Sequence, residues 1–187
     1  MRQDRPTRSA AHDPEHGAAL PSDWVVRWAP MIARRGEVLD LACGAGRHTR
    51  FLAAQGLRVC AVDRDALALA ALRAILGVTV LAADLEDAPW PLRERKFDGV
   101  IVTNYLHRPL MSCILDALAP AGVLIYETFA AGNERFGKPS NPDFLLRPGE
   151  LLEVVRNRLR VIAYEDLEIT QPRPARIQRI CASAHFR

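Results

Sequence analysis

The sequence predicts an α/β fold, with one open, mostly parallel seven-stranded sheet, helices on both faces and an antiparallel last strand. Three observations lead there. Short apolar runs alternate with helix-period segments between residues 37 and 128, the order that strand–helix–strand units require. The first two runs close on carboxylates, Asp40 and Asp63. The first is followed at once by the glycine-rich turn Cys43-Gly44-Ala45-Gly46, at the sheet edge where open parallel sheets bind ligands.

The elements follow in order. Residues 1–20 are rich in Arg, Asp, His, Ala and Pro without sustained periodicity, and read as a mobile arm. His12 and His16 flank a proline within it, so no shared helix face and no metal site is expected there. A single domain is expected over 21–187. Pro21-Ser22-Asp23 opens a helix with Trp24, Val25, Trp28 and Met31 at helical spacing. Strand one covers 37–42, a helix 47–55 stops at Gly56, and strand two covers 57–62. Asp65 caps a helix over 65–76 that stops at Gly77. Strands at 78–82 and 97–103 come next, then a helix over 107–118 with Pro109 near its start, then a strand over 122–128.

Beyond Thr128 the pattern changes. Residues 129–148 carry glycines, prolines, Asn133, Asn141, Arg135 and Lys138, and form a loop insertion of functional character. A helix over 149–158 precedes strand-like runs at 159–169 and 175–185. These are joined through Gln171-Pro172-Arg173-Pro174 and form an antiparallel pair at one sheet edge. The chain of 187 residues is 49% hydrophobic, which is enough for one core. A net charge of +3 without a dense Lys/Arg block permits nucleic-acid contact but does not argue for it. The four cysteines Cys43, Cys60, Cys113 and Cys181 lack metal-ligand spacing. Reduced, buried thiols are expected, fitting a cytoplasmic protein with no membrane span or signal peptide.

Glycines let a backbone approach a ligand closely, and a carboxylate on the next strand accepts ribose hydroxyls. A dinucleotide fingerprint would need a third glycine where Thr49 stands. The short Asp-x-x-Cys-Gly-x-Gly turn suits a ligand without a pyrophosphate, and Asp40 can hold a cationic group directly or through water. Each acid also has a plainer reading. Asp40 can cap the following turn, Asp63 and Asp65 can cap the next helix, and Asp84 can belong to a solvated loop with Glu86 and Asp87.

Asp40 through Gly46, Ala61-Val62-Asp63-Arg64, Ala83-Asp84-Leu85 and Phe97-Asp98-Gly99-Val100 resemble the successive motifs of class I S-adenosylmethionine-dependent methyltransferases. The resemblance covers about residues 37–128. Phe144 through Leu151 is similar to the small tellurite-resistance-like methyltransferases. The resemblance implies a Rossmann-like class I methyltransferase fold with S-adenosylmethionine as cofactor and S-adenosylhomocysteine as product. Gly44 and Gly46 would pass under the methionine moiety, with Asp40 and the Ala42 backbone near its amino group. Many members carry a glycine where Ala42 stands, a mild departure if the methyl faces away. Asp63 would accept the ribose hydroxyls and Arg64 would cross the adenine face. Asp84 and the Leu85 backbone would meet the adenine edge, and Asn104 would line the transfer zone.

Methyl transfer from a sulfonium needs positioning above all, and a base only where the acceptor must lose a proton. Thr103 through Arg108 follows the fourth strand. His107 is the base candidate there, with a helix cap as its plainer role, and Tyr105 is a pocket wall or a core residue. The segment lacks both prolines of the Asn/Asp-Pro-Pro-aromatic tetrapeptide associated with methylation of exocyclic amines. Glu127 can face the pocket. Arg135, Lys138 and Arg147 can receive an anionic acceptor under a lid hinged at Gly132, Gly137 and Gly149. Arg176 and Arg179, three apart in a strand, face opposite sides. The sequence therefore points to methyl transfer onto a small-molecule acceptor, a soft nucleophile or an oxyanion. RNA or protein methylation, a non-catalytic cofactor-binding module and an NAD-linked oxidoreductase are the rivals.

Overall fold

The computed structural model describes residues 20–184. The expectations for 1–19, His12 and His16 included, and for His185 lie outside the described residues. Seven strands form one sheet in the order β3-β2-β1-β4-β5-β7-β6. They are β1 (Glu37–Leu41), β2 (Arg58–Asp63), β3 (Val78–Ala82), β4 (Phe97–Thr103), β5 (Leu118–Phe129), β6 (Leu159–Ile169) and β7 (Ala175–Ala184). All neighbours pair in parallel except β7, which runs against both β5 and β6. The expected topology, including the antiparallel last strand, is the observed one.

Apolar runs become the central strands because both faces of the sheet are covered. Successive residues point to opposite faces, so one strand feeds two cores. Leu39, Val100, Leu124, Tyr126 and Ala182 enter one cluster, which also holds Ile114 of α4 (Met111–Asp116) and Leu151 of α5 (Glu150–Val155). Val38, Ile101, Ile125 and Cys181 enter the other, with Trp24 and Val25 of α1 (Asp23–Trp28) and Leu52 of α2 (Arg47–Ala54). Ser22 caps α1 through its side chain, which accepts from the Trp24 N–H. The four cysteines are free; Cys113 is half-buried and the others are buried.

Three helices are shorter than the sequence pattern suggests, and the one expected over 149–158 is regular only as α5 (Glu150–Val155). The helix expected over 65–76 ends as α3 (Ala66–Ala70) and continues as turns to Gly77. Only Leu69 and Leu72 reach the core, while Leu67 and Leu76 are exposed. An alanine-rich segment with so little to bury gains little from further regular turns. The helix expected over 107–118 begins as a 3-10 turn, Arg108–Leu110, with Pro109 at its start, and continues as α4. β5 begins four residues early, because Leu118 pairs with Phe97 ahead of a register shift. No helix among the described residues is long and apolar enough to cross a membrane.

Candidate active site

The carboxyl ends of β1, β2, β3 and β4 converge where the strand order reverses between β1 and β4, the usual ligand position in open α/β sheets. The turn after β1 is left-handed at three residues, Ala42 (φ 52°), Gly44 (φ 56°) and Gly46 (φ 79°). At Gly46 a Cβ would stand 2.5 Å from the Leu72 side chain, so glycine is required there for space as well as for φ. Ala42 has no such licence. Its left-handed backbone costs about 1–2 kcal/mol, so this departure from glycine is a strained one rather than the mild one expected.

Asp63 holds this turn in place. One carboxylate oxygen accepts from the Gly44 N–H at 2.8 Å and the other from the Asp65 N–H at 2.9 Å. The cap of α3 belongs to Asp65, whose side chain accepts from the Leu67 and Ala68 amides. Asp40 sits deeper, at 1% exposure, and accepts from the Thr49 hydroxyl at 2.6 Å. Burial disfavours its ionised form and raises its pKa to about 6, against the lowering effect of the Thr49 hydrogen bonds. Asp40 thus ties the end of β1 to α2. Thr49, at the position a dinucleotide site gives to glycine, is its partner. Arg64 is exposed. Asp84 accepts from the Glu86 and Asp87 amides in a turn after β3, and Leu85 is buried.

Asn104 leaves β4 with φ 54° and its amide donates to the Glu127 carbonyl at 2.9 Å, leaving an exposed side chain. Tyr105 follows, with a buried hydroxyl that has no partner among the described residues. Burial pushes its pKa upward, reinforced by the nearby Glu86 and Asp84 carboxylates. The phenol thus stays protonated and points among the acids at the strand ends. Tyr105 also lines a narrow cleft with Asn104, Leu106, Thr128, Phe129, Pro139 and Phe144. His107 and Glu127 are not among the residues that line it. His107 is half-buried and stands ahead of the 3-10 turn without a side-chain cap bond. Glu127 accepts from the Ser22 hydroxyl at 2.8 Å and from Arg179 at 3.3 Å.

The basic residues expected to receive an anion are largely engaged. Arg135 pairs with Glu168, Arg147 with Glu150, Arg176 with Asp166, and Arg179 with Glu165 and Glu127. The 129–148 loop is fastened at both ends. The Leu146 amide donates to the Phe129 carbonyl at the end of β5, the Ala131 amide donates to the Leu146 carbonyl, and the Asn133 side chain donates to the Pro139 carbonyl. Arg108 grips Glu150 through two nitrogens, at 2.7 and 2.9 Å, and donates to the carbonyls of Asp143 and Leu145. These bonds hold the loop in the conformation seen here.

Sequence reasoning missed His48. It is 1% exposed, its Nε2 accepts from the Ser22 amide at 3.1 Å, and its Nδ1 lies 3.2 Å from the Thr103 hydroxyl. An Nε2 acceptor fixes the proton on Nδ1, and burial lowers the pKa to about 3. Neutral His48 therefore ties the start of α1 to the end of β4. Its only sequence signal was a polar residue next to the glycine turn, in a helix whose inward face had to be apolar.

The glycine turn, the acid-tipped strands and the order β3-β2-β1-β4-β5-β7-β6 define the class I methyltransferase fold. Residues 38–122 match the family model described as a methyltransferase domain. Its fold is similar to that of TehB from Haemophilus influenzae (TM-score 0.76, 18% identity), over 92% of this chain and 65% of that one. It is also similar to 1,6-didemethyltoxoflavin-N1-methyltransferase from Burkholderia thailandensis (TM-score 0.61, 21% identity), over 87% and 76% of the two chains. That structure holds 1,6-didemethyltoxoflavin and S-adenosylhomocysteine. In sequence, an 82-residue stretch is 42% identical to ribosomal RNA small subunit methyltransferase H of Gemmatimonas aurantiaca. The match takes in 38% of this chain and 26% of that protein, so the chain spans about a quarter of that curated relative.

Proposed function

We propose that the protein binds S-adenosylmethionine at the β1–β4 switch and transfers its methyl group to a small-molecule acceptor. The observation that carries this reading is the left-handed Gly44–Gly46 turn held by Asp63, with Asp84 at the end of the neighbouring strand. The residues fit the cofactor. The turn brings left-handed backbone to the strand ends, the Tyr105 hydroxyl lacks a partner among the described residues, and Asp63 and Asp84 are carboxylates at consecutive strand ends. In this reading Gly44, Gly46, Asp40 and the Ala42 backbone hold the methionine end. Asp63 takes the ribose and Arg64, Asp84 and Leu85 the adenine, with Asn104 beside the transfer zone. The bound cofactor supplies an activated methyl on a sulfonium. The chain supplies orientation and exclusion of water.

Asp63 has both oxygens on backbone amides already, so it serves the fold and the ligand at once. Calorimetric titration of S-adenosylhomocysteine against NAD tests the reading. Binding of the first and none of the second is expected. Asp63→Ala should cost ten- to hundredfold in affinity, the loss of about 1.5–3 kcal/mol in charge-assisted hydrogen bonds. NAD binding, or an unchanged Asp63→Ala variant, would overturn it. The match to a ribosomal RNA methyltransferase supports RNA as a second acceptor. Affinity for RNA that falls steeply with salt would favour that reading.

A further inference from the structure

Resting on the proposed methyl-transfer reading, we infer that Arg47 receives the α-carboxylate of the cofactor's methionine end, so that the protein selects a donor with an intact amino-acid tail. Arg47 follows Gly46 directly and opens α2. In the proposed reading the methionine end lies on this glycine turn, which puts the tail within reach of the next side chain. Arg47 is half-buried, and its guanidinium donates to the Leu20 carbonyl at 3.5 Å. That contact is long for a hydrogen bond, and a guanidinium has five N–H groups to place.

Arg108, Arg135, Arg147, Arg176 and Arg179 are each paired with a carboxylate. Arg47 makes no such pair among the described residues. Burial works against its charge, while Glu127 and Asp40 favour that charge through space. Neither acid bonds to it. The Glu127 carboxylate has one oxygen on the Ser22 hydroxyl and the other on Arg179. Asp40 is buried beneath the turn, with an oxygen on the Thr49 hydroxyl. The guanidinium therefore stands partly desolvated beside the turn without a bonded counter-charge, and a bound anion would supply one.

Asp40 and Arg47 together select which anion. They place a carboxylate and a guanidinium on either side of the glycine turn, and no ion pair joins them among the described residues. An α-amino acid carries the complementary charges on a single carbon. With its ammonium toward Asp40 and its carboxylate on Arg47, both attractions are satisfied; the reverse orientation sets like charges against each other. Guanidinium–carboxylate hydrogen bonds are charge-assisted, and a bidentate pair also fixes direction. With the tail held at Arg47 and the adenosine at Asp63 and Asp84, the sulfonium is fixed between two anchors, as in-line transfer requires. Arg47 takes no proton in this scheme and acts by holding the donor.

Three adenosine thioethers separate these contributions: S-adenosylhomocysteine, its decarboxylated analogue, and methylthioadenosine, which lacks the whole tail. In calorimetric titrations the parent should bind S-adenosylhomocysteine about tenfold or more tighter than the decarboxylated analogue. Arg47→Met keeps an apolar stem in the half-buried position and removes the charge. It should weaken S-adenosylhomocysteine by about the same factor and leave the other two ligands within about twofold, which abolishes the discrimination. Arg47→Gln should behave alike, and Arg47→Lys should keep part of the discrimination, a point charge replacing the fork. Equal parent affinity for S-adenosylhomocysteine and its decarboxylated analogue would overturn the inference. So would unchanged S-adenosylhomocysteine affinity in the neutral variants, or an equal loss on all three ligands, which would mark Arg47 as a residue of the fold. A parent protein that binds none of the three would instead sink the methyl-transfer reading.

Discussion

Replacing Glu150 by Gln tests whether the 129–148 loop is fixed by charge. The Glu150 side chain is 7% exposed and is gripped by Arg108 at 2.7 Å, while the Arg147 amide donates to it at 2.7 Å. Burial alone would raise its pKa. The hydrogen bonds from Arg108 and Arg147 prevail and lower it from 4.5 to about 2. A difference of 4.5 − 2 = 2.5 pH units corresponds to about 3.4 kcal/mol at 1.36 kcal/mol per unit. Arg108 is one-third exposed and Arg147 three-quarters exposed, so solvent screening trims this to about 2 kcal/mol. A folded-state pKa below the unfolded one stabilises the protein above the unfolded value. The contribution is complete above pH 5 and fades as pH falls from 4.5 toward 2. Urea unfolding at pH 7 should therefore show Glu150→Gln destabilised by about 2 kcal/mol, and the gap should close at pH 2–3. Arg108→Ala should cost as much or more, since it strands a buried carboxylate and frees the Asp143 and Leu145 carbonyls. In a double-mutant cycle the two changes should be strongly non-additive. A Glu150→Gln gap below 0.5 kcal/mol at pH 7, or one that persists at pH 2.5, would refute the clamp.

Three further outcomes follow from single residues. Ala42→Gly removes the strain of φ 52° and, net of glycine's extra chain entropy, should raise stability by about 0.5–1 kcal/mol in urea melts; a loss of stability would contradict the strain. Tyr105→Phe deletes a buried hydroxyl without a partner, so the cofactor-free protein should gain about 1 kcal/mol while S-adenosylhomocysteine affinity falls. A lower melting temperature with unchanged affinity would show that the hydroxyl has a protein partner. Asp40 has its pKa raised to about 6 from 3.8, so ionising it costs the fold up to about 3 kcal/mol as pH rises between those values. Asp40→Asn should stabilise the free protein at pH 7 relative to pH 4, and should remove any rise in cofactor affinity through pH 6. Parallel pH–stability curves for the two proteins would rule this out.

The strands were legible because parallel strands covered on both faces are written as continuous apolar runs. β3, β4 and β6 match their expected bounds, β1 ends one residue early, β2 is shifted by one residue at both ends, and β7 follows its expected bounds as far as Ala184, the last described residue. The glycine turn and the acids at the strand ends were legible for the same reason, being placed by the strands they follow. What the sequence hid was pairing across the chain. Ser22 and His48 are 26 residues apart, Arg108 and Glu150 42 apart, and Ser22 and Glu127 105 apart. No local period connects such residues. The 129–148 loop looked free to hinge because its glycines and prolines are local signals, whereas the bonds that fasten it come from Arg108, Arg176 and Gln178 on other elements.

The hidden contacts other than the Arg108–Glu150 pair share one location. Ser22 bonds to His48 on α2 and to Glu127 at the end of β5, His48 reaches Thr103 at the end of β4, and Arg179 of β7 joins Glu127 while lying over the Trp24 ring. The start of α1 is thereby bonded to the strand ends that flank the proposed transfer zone. The partners themselves are well chosen for rigidity. His48 is held neutral by burial and does not change charge across the neutral range, and Glu127 is bonded by both Ser22 and Arg179. Asp40 is the contrasting case, a buried acid poised near pH 6 beneath the turn. Rigidity on the acceptor side and one titrating acid on the donor side are what a positioning enzyme needs. In the proposed reading, a cation bound above Asp40 would offset the cost of burying its charge.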